Sequence, residues 1–260
     1  MILFNEDDFL PHLDKFKLSI NHENSWAFFV SQYENVLRLL NGTAVAHQYE
    51  LNIKSYPYLF TLRHYCELKL KSILQQRNIE IPKSHNFGDI LPLLDDLPQH
   101  LTSAINKIDF DEDGSCFRYF HDKNGEVGPL YGQRKEFLAF YDDVLEIPAD
   151  NIYNLNLELS KPFHRRLAYE FTFHFNEVSS PGIFRSSYDD MTRFLLKAVI
   201  ENKVSTNDIY LPMLYFIRHS IELALKESLM GMLHVQSEAS QKKIIRMMTH
   251  EHKLLSLIHI

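Results

Sequence analysis

The chain has 260 residues, 45% of them hydrophobic and 13% aromatic, which is enough for one large or two small packed cores. A net charge of -7 excludes a broadly basic nucleic-acid binder, and the acidity is uneven: residues 1–150 hold 14 Lys and Arg against 23 Asp and Glu, residues 151–260 hold 13 against 11. The only cysteines, Cys66 and Cys116, are far apart and outside any metal-type pair, so they imply neither a disulfide framework nor a zinc site.

The opening stretch MILFNEDDFLPHL is acidic where a secretory signal is basic. No segment approaches the roughly 20 apolar residues of a membrane span. A cytoplasmic protein without membrane contact, metal or cofactor is expected. A first helix precedes LFTLRHYCELKLKSIL (59–74), where Leu59, Leu62, Cys66, Leu70 and Ile73 recur at the spacing of a bundle helix. Pro57 stands at its expected start, where a missing N–H is harmless. Beside the apolar stripe, Arg63, Glu67 and Lys71 follow at intervals of four, about 40° apart round the helix, and so form one polar strip. The strip reads either as ion pairs that lock an interface or as charge presented to a phosphate or nucleotide. His64, about 100° from Arg63, reads as a partly buried structural imidazole or as part of that binding surface.

SHNFGDILPLL (84–94) begins the next helix, with His85 near its start. The acidic run 109–113 lacks the ligand spacing of a calcium loop. FRYFHDKNGE (117–126) then brings Arg118 and His121 together in a loop, the sort of place where function concentrates. NIYNLNLELS (151–160) and RLAYEFTFHFNEV (166–178) alternate with period two and predict a β-hairpin joined by KPFHRR. Past the turn residues of EVSSPGIF the chain returns to helix.

That return is a repeat. At a constant offset of 155, nine of the eighteen residues from 57 to 74 recur, among them Pro212, again at the expected helix start, and Arg218, His219, Glu222 and Lys226. Upstream, Phe29, Tyr33, Arg38 and Leu40 recur as Phe184, Tyr188, Arg193 and Leu195. The polar strip thus has a second version in Arg218, Glu222 and Lys226, beside His219, and His85 aligns with His252 in EHKLLSLI (251–258). His250, His252 and His259 lack a carboxylate or cysteine at metal-binding spacing.

This order of a first helix, an R-H-x-x-E-L-x-L-K helix, an S-H-N helix start and a later FRYFHD resembles the HEPN superfamily, whose helical domains occur in prokaryotic toxin and phage-defence systems. The resemblance implies a mainly α protein: an HEPN-like bundle over 1–148, a β-hairpin connector over 149–180, and a second, incomplete HEPN-like unit over 181–260. The two copies are expected to pack as an internal pseudo-dimer, leaving apolar surface for a homo-oligomer or a protein partner. Two functions follow as expectations. One is a binding or interaction module of a bacterial defence or stress system, using Arg63, His64, Glu67 and Lys71 with Arg218, His219, Glu222 and Lys226 toward a partner, an RNA or a nucleotide. The other is a metal-independent RNA endonuclease, with Arg118 binding phosphate and His121 transferring the proton. Arg118 and His121 are three residues apart, closer than the four to six that the family's catalytic pattern uses.

Overall fold

A computed structural model of the chain describes residues 10–18, 25–46, 55–106, 117–118, 181–231 and 237–242. These are mainly helical, with no strand among them. The expected hairpin, His121, and the segment from 243 that carries His252 lie outside the described residues. A 3-10 helix, Leu10–Phe16, precedes α1 (Trp26–Ala46) and α2 (Ser55–Gln76). Then come the short α3 (Phe87–Ile90), the 3-10 turn Leu91–Leu93, and α4 (Gln99–Asn106). The second copy supplies α5 (Pro181–Ile200) and α6 (Thr206–Gly231).

Local chemistry sets several of these boundaries. The Ser25 hydroxyl accepts from the Phe28 N–H at 3.2 Å and caps α1. α5 begins on Pro181, whose fixed φ suits a first turn. Asn78 and Asn202 sit just beyond α2 and α5 at φ 57° and 56°, the left-handed conformation that closes a helix C-terminus. In each case a backbone N–H reaches back to an open carbonyl, Ile79 to Leu74 and Lys203 to Ala198, both at 2.9 Å.

α1 packs along α2, and α5 along α6; across the copies α6 packs on α1 and α2 on α5. A single core cluster runs through both pairs, including Leu37, Leu40, Leu62 and Leu70 from the first and Tyr188, Leu195 and Phe216 from the second. Ring contacts repeat at the sequence offset. Tyr33 meets His64 edge-on at 4.6 Å and 71°, and Tyr188 meets His219 at 4.6 Å and 69°. Phe60 lies flat on His64 at 5.6 Å, and Tyr215 on His219 at 5.4 Å. Phe60 and Tyr215, themselves 155 positions apart, stack on each other at 4.4 Å and 12°. Four nearly parallel rings therefore bridge the copies at a local two-fold relation.

Pro212 departs from the sequence expectation. α6 begins six residues before it, at Thr206, so the proline lies inside the helix rather than at its start. A proline there removes the N–H due to Asp208 and crowds that carbonyl. α1 makes good the loss: the Asn35 amide donates to the Asp208 carbonyl at 2.9 Å. One turn earlier, Gln32 donates to the Asn207 carbonyl at 2.7 Å and accepts from the Leu211 N–H at 3.3 Å. Both side chains are buried. The backbone groups that the proline disturbs in one copy are thus satisfied by the other, which ties α1 to α6.

Candidate functional site

The repeated strip on α2 is a buried ion network rather than a solvated face. Arg63, Glu67 and Lys71 are each at most 5% exposed. The Lys71 ammonium lies 2.8 Å from the Glu67 carboxylate, and the Arg63 guanidinium 3.6 Å from its other oxygen. The rest of the network is the SHN turn. Lys71 donates to the Ser84 carbonyl at 2.9 Å, Arg63 to the His85 carbonyl at 3.0 Å, and the His85 Nδ1 lies 2.8 Å from Glu67. Asn86 then caps α3 by accepting from the Gly88 N–H at 2.7 Å, and Arg63 lies over the Phe87 ring. The two motifs therefore occur together for a physical reason: the cations of the first fasten the carbonyls of the second. Burial by itself would raise the Glu67 carboxyl, but His64, Lys71 and His85 outweigh it and hold the group below its ordinary value. An ionised carboxylate only accepts, so Nδ1 of His85 carries a hydrogen and Nε2 is left for the solvent side, where the ring is 57% exposed.

The second copy keeps half of this arrangement. Lys226 lies 2.9 Å from Glu222, matching Lys71 and Glu67. Arg218, however, is exposed where Arg63 is buried, and Leu214 is 49% exposed where Leu59 is 1%. Among the described residues no counterpart of the SHN turn and α3 covers that face of α6.

The turn at Phe117 and Arg118 joins the copies. The Tyr188 hydroxyl donates to the Phe117 carbonyl, and the His219 Nε2 donates to the Arg118 carbonyl at 2.6 Å. With its backbone fixed by α5 and α6, Arg118 lines a cavity of about 130 Å³ on the first-copy side. Arg63, His64 and Glu67 of α2 line it as well, with Tyr33 of α1. His85 and the stacked Phe60 and Tyr215 complete the wall. Arg63, Arg118 and Glu67 bring charged groups to its wall, with Lys71 paired to Glu67 behind it. Burial lowers the His64 ring to about 4 despite the attraction of Glu67, with Arg118 lowering it further, so His64 is neutral at pH 7. Burial likewise lowers His219.

Of the residues picked out in the sequence, Arg63, His64, Glu67 and Arg118 meet in this cavity, and Lys71 supports it from behind. His219 positions Arg118 through its backbone, and Glu222 and Lys226 pair beside it. Arg218 is exposed and is not among the lining residues. Tyr33, His85, Phe60 and Tyr215 were not among the expected site residues. Their signal was present in the repeat, since Tyr33 recurs as Tyr188, His85 aligns with His252, and an aromatic ring occupies both 60 and 215. Among the described residues no three His, Cys, Asp or Glu side chains gather as a metal site, and no helix is long and apolar enough to cross a membrane. No family model, curated protein or solved structure matches this chain.

Proposed function

We propose that this chain is an HEPN-like helical module, two copies in one polypeptide, whose cavity between the copies binds a phosphate-bearing ligand, an RNA or a nucleotide. It serves as a cytoplasmic binding component of a bacterial defence or stress system. The observation that carries the reading is the convergence of Arg118 with Arg63, His64 and Glu67 of the repeated helix in one cavity. Guanidinium groups bind phosphate oxygens through paired, charge-assisted hydrogen bonds, and partial burial strengthens them. A fluorescein-labelled single-stranded RNA, titrated by anisotropy at low and moderate salt, tests it. Wild type should bind in a salt-dependent manner and Arg118→Ala about tenfold more weakly; equal affinity of the two proteins would refute the assignment.

The placement of Arg118 also favours a second reading, a metal-independent RNA endonuclease with Arg118 as phosphate stabiliser and His121 as acid or base. Incubation of RNA with the protein in EDTA distinguishes the two. Cleavage lost in both Arg118→Ala and His121→Ala supports the nuclease. Intact RNA that is nonetheless bound supports the binding module.

A further inference from the structure

The two copies use the same tyrosine and histidine differently. In the second copy Tyr188 and His219 donate to the successive carbonyl oxygens of Phe117 and Arg118. That grip on a peptide backbone shows what the pair can hold. In the first copy Tyr33 and His64 keep the same mutual geometry, edge-on at 4.6 Å and 71° against 4.6 Å and 69°. His64 also lies flat on Phe60 as His219 lies on Tyr215. Yet Tyr33 and His64 line the cavity and hydrogen-bond none of the described residues. Tyr33 is 7% exposed, and a hydroxyl so buried is costly without an acceptor.

Both groups are neutral at pH 7, because burial raises the Tyr33 hydroxyl above its ordinary value and lowers the His64 ring to about 4. A phenol carries one O–H and a neutral imidazole one N–H, so the pair offers two donors. Neutral carbonyl oxygens suit them, since these lose far less on leaving water than a charged group does. Size narrows the choice. A cavity of about 150 Å³ accommodates benzene, so one of about 130 Å³ takes about six heavy atoms. The unit O=C–N–Cα–C=O that joins two successive peptide carbonyls is of that size, and a glycine adds no side chain to it. We propose that Tyr33 and His64 form a receptor for the backbone of a partner polypeptide, gripping two successive carbonyls at a glycine as Tyr188 and His219 grip the 117–118 turn. This goes beyond the phosphate reading and does not rest on it. The donors are Tyr33 and His64 rather than the arginines, and a peptide and a phosphate would exclude each other from the one volume.

The smallest probe is N-acetylglycine N-methylamide, which carries two successive carbonyls; its control is N-methylacetamide, which carries one. Each is titrated into the full chain labelled with ¹⁵N-histidine, and the ring signals are followed by NMR, with His64→Asn identifying that of His64. The diamide should shift the His64 signal saturably with a Kd of about 10 mM or tighter, as befits a ligand of about nine heavy atoms. The monoamide should bind about fivefold more weakly, having lost one hydrogen bond. Tyr33→Phe should weaken the diamide by a similar factor, while Arg77→Ala, an exposed residue paired with Asp96, should leave it unchanged. Urea melts of Tyr33→Phe show whether a loss of binding comes from a loss of fold. A His64 signal that does not move overturns the proposal, as does equal affinity for the two amides or equal affinity of wild type and a folded Tyr33→Phe. Uridine that shifts His64 where the diamide does not would assign the pair to a nucleobase and overturn it too. None of these outcomes depends on whether the chain binds RNA, which the anisotropy titration measures separately.

Discussion

Asn35 is a side chain whose role is defined by a proline 177 positions away in sequence. Pro212 removes the N–H that would bond the Asp208 carbonyl within α6, and the Asn35 amide replaces it from α1 at 2.9 Å. Asn35→Leu keeps the volume and deletes the donor, leaving a carbonyl unpaired in a buried setting. That costs about 1–3 kcal/mol. If the interpretation is right, the cost depends on the proline. In a Pro212→Ala background the new N–H can bond Asp208 itself, so Asn35→Leu should then cost about 1 kcal/mol less than it does in wild type. Urea unfolding of the four proteins of this double-mutant cycle, followed by helical circular dichroism, gives the coupling energy. Additivity within about 0.5 kcal/mol would refute the idea that Asn35 substitutes for the missing backbone donor.

Three further outcomes follow from the buried charges and rings. His64 drops from an ordinary 6.5 to about 4 on folding, so between those values the unfolded chain binds the extra proton, and stability declines as pH falls. From pH 7 to pH 5 this ring alone costs at most about 2 kcal/mol, a slope that His64→Asn should flatten in urea melts at fixed pH; an unchanged slope counts against its burial. Glu67→Gln leaves Lys71 and Arg63 without their carboxylate in a nearly closed site, and its loss of about 3–5 kcal/mol should show in the same melts. Tyr188→Phe removes the hydroxyl that bonds the Phe117 carbonyl and should lower stability by about 1–3 kcal/mol, whereas Tyr33→Phe, which deletes no such bond, should leave stability within about 0.5 kcal/mol.

The repeated contacts were legible in sequence because those between α1 and α2 recur between α5 and α6, and the letters at those contacts recur with them. Tyr33 with His64 and Tyr188 with His219 are the clearest case. The Arg63, Glu67 and Lys71 strip was legible too, since intervals of four on a helix put charges side by side. Its partners were not, because the carbonyls of Ser84 and His85 are backbone atoms that every residue carries. The start of α6 was misplaced at Pro212 for a related reason: local rules end or begin helices at proline, and only a tertiary neighbour, here Gln32 and Asn35, lets the helix extend past it. Arg118 carried a signal of its own, but nothing in its neighbourhood says that its backbone is held by one copy while its side chain lines a cavity in the other.

That division of labour explains why the repeat diverges where it does. In two identical copies each tyrosine and histidine pair would make the same bonds. Among the described residues the 117–118 turn has no second version, and it is the second copy that donates to its carbonyls. Those bonds hold the backbone at Arg118, which lines the cavity that the first copy encloses. Arg63 remains buried in that copy, clamped between Glu67 and the SHN turn, whereas Arg218, without such a cover among the described residues, is exposed. The repeated letters thus specify a common frame, four helices and a stack of rings. The asymmetry that makes one side a support and the other the wall of a cavity comes from the segments docked against that frame, the SHN turn and the 117–118 turn.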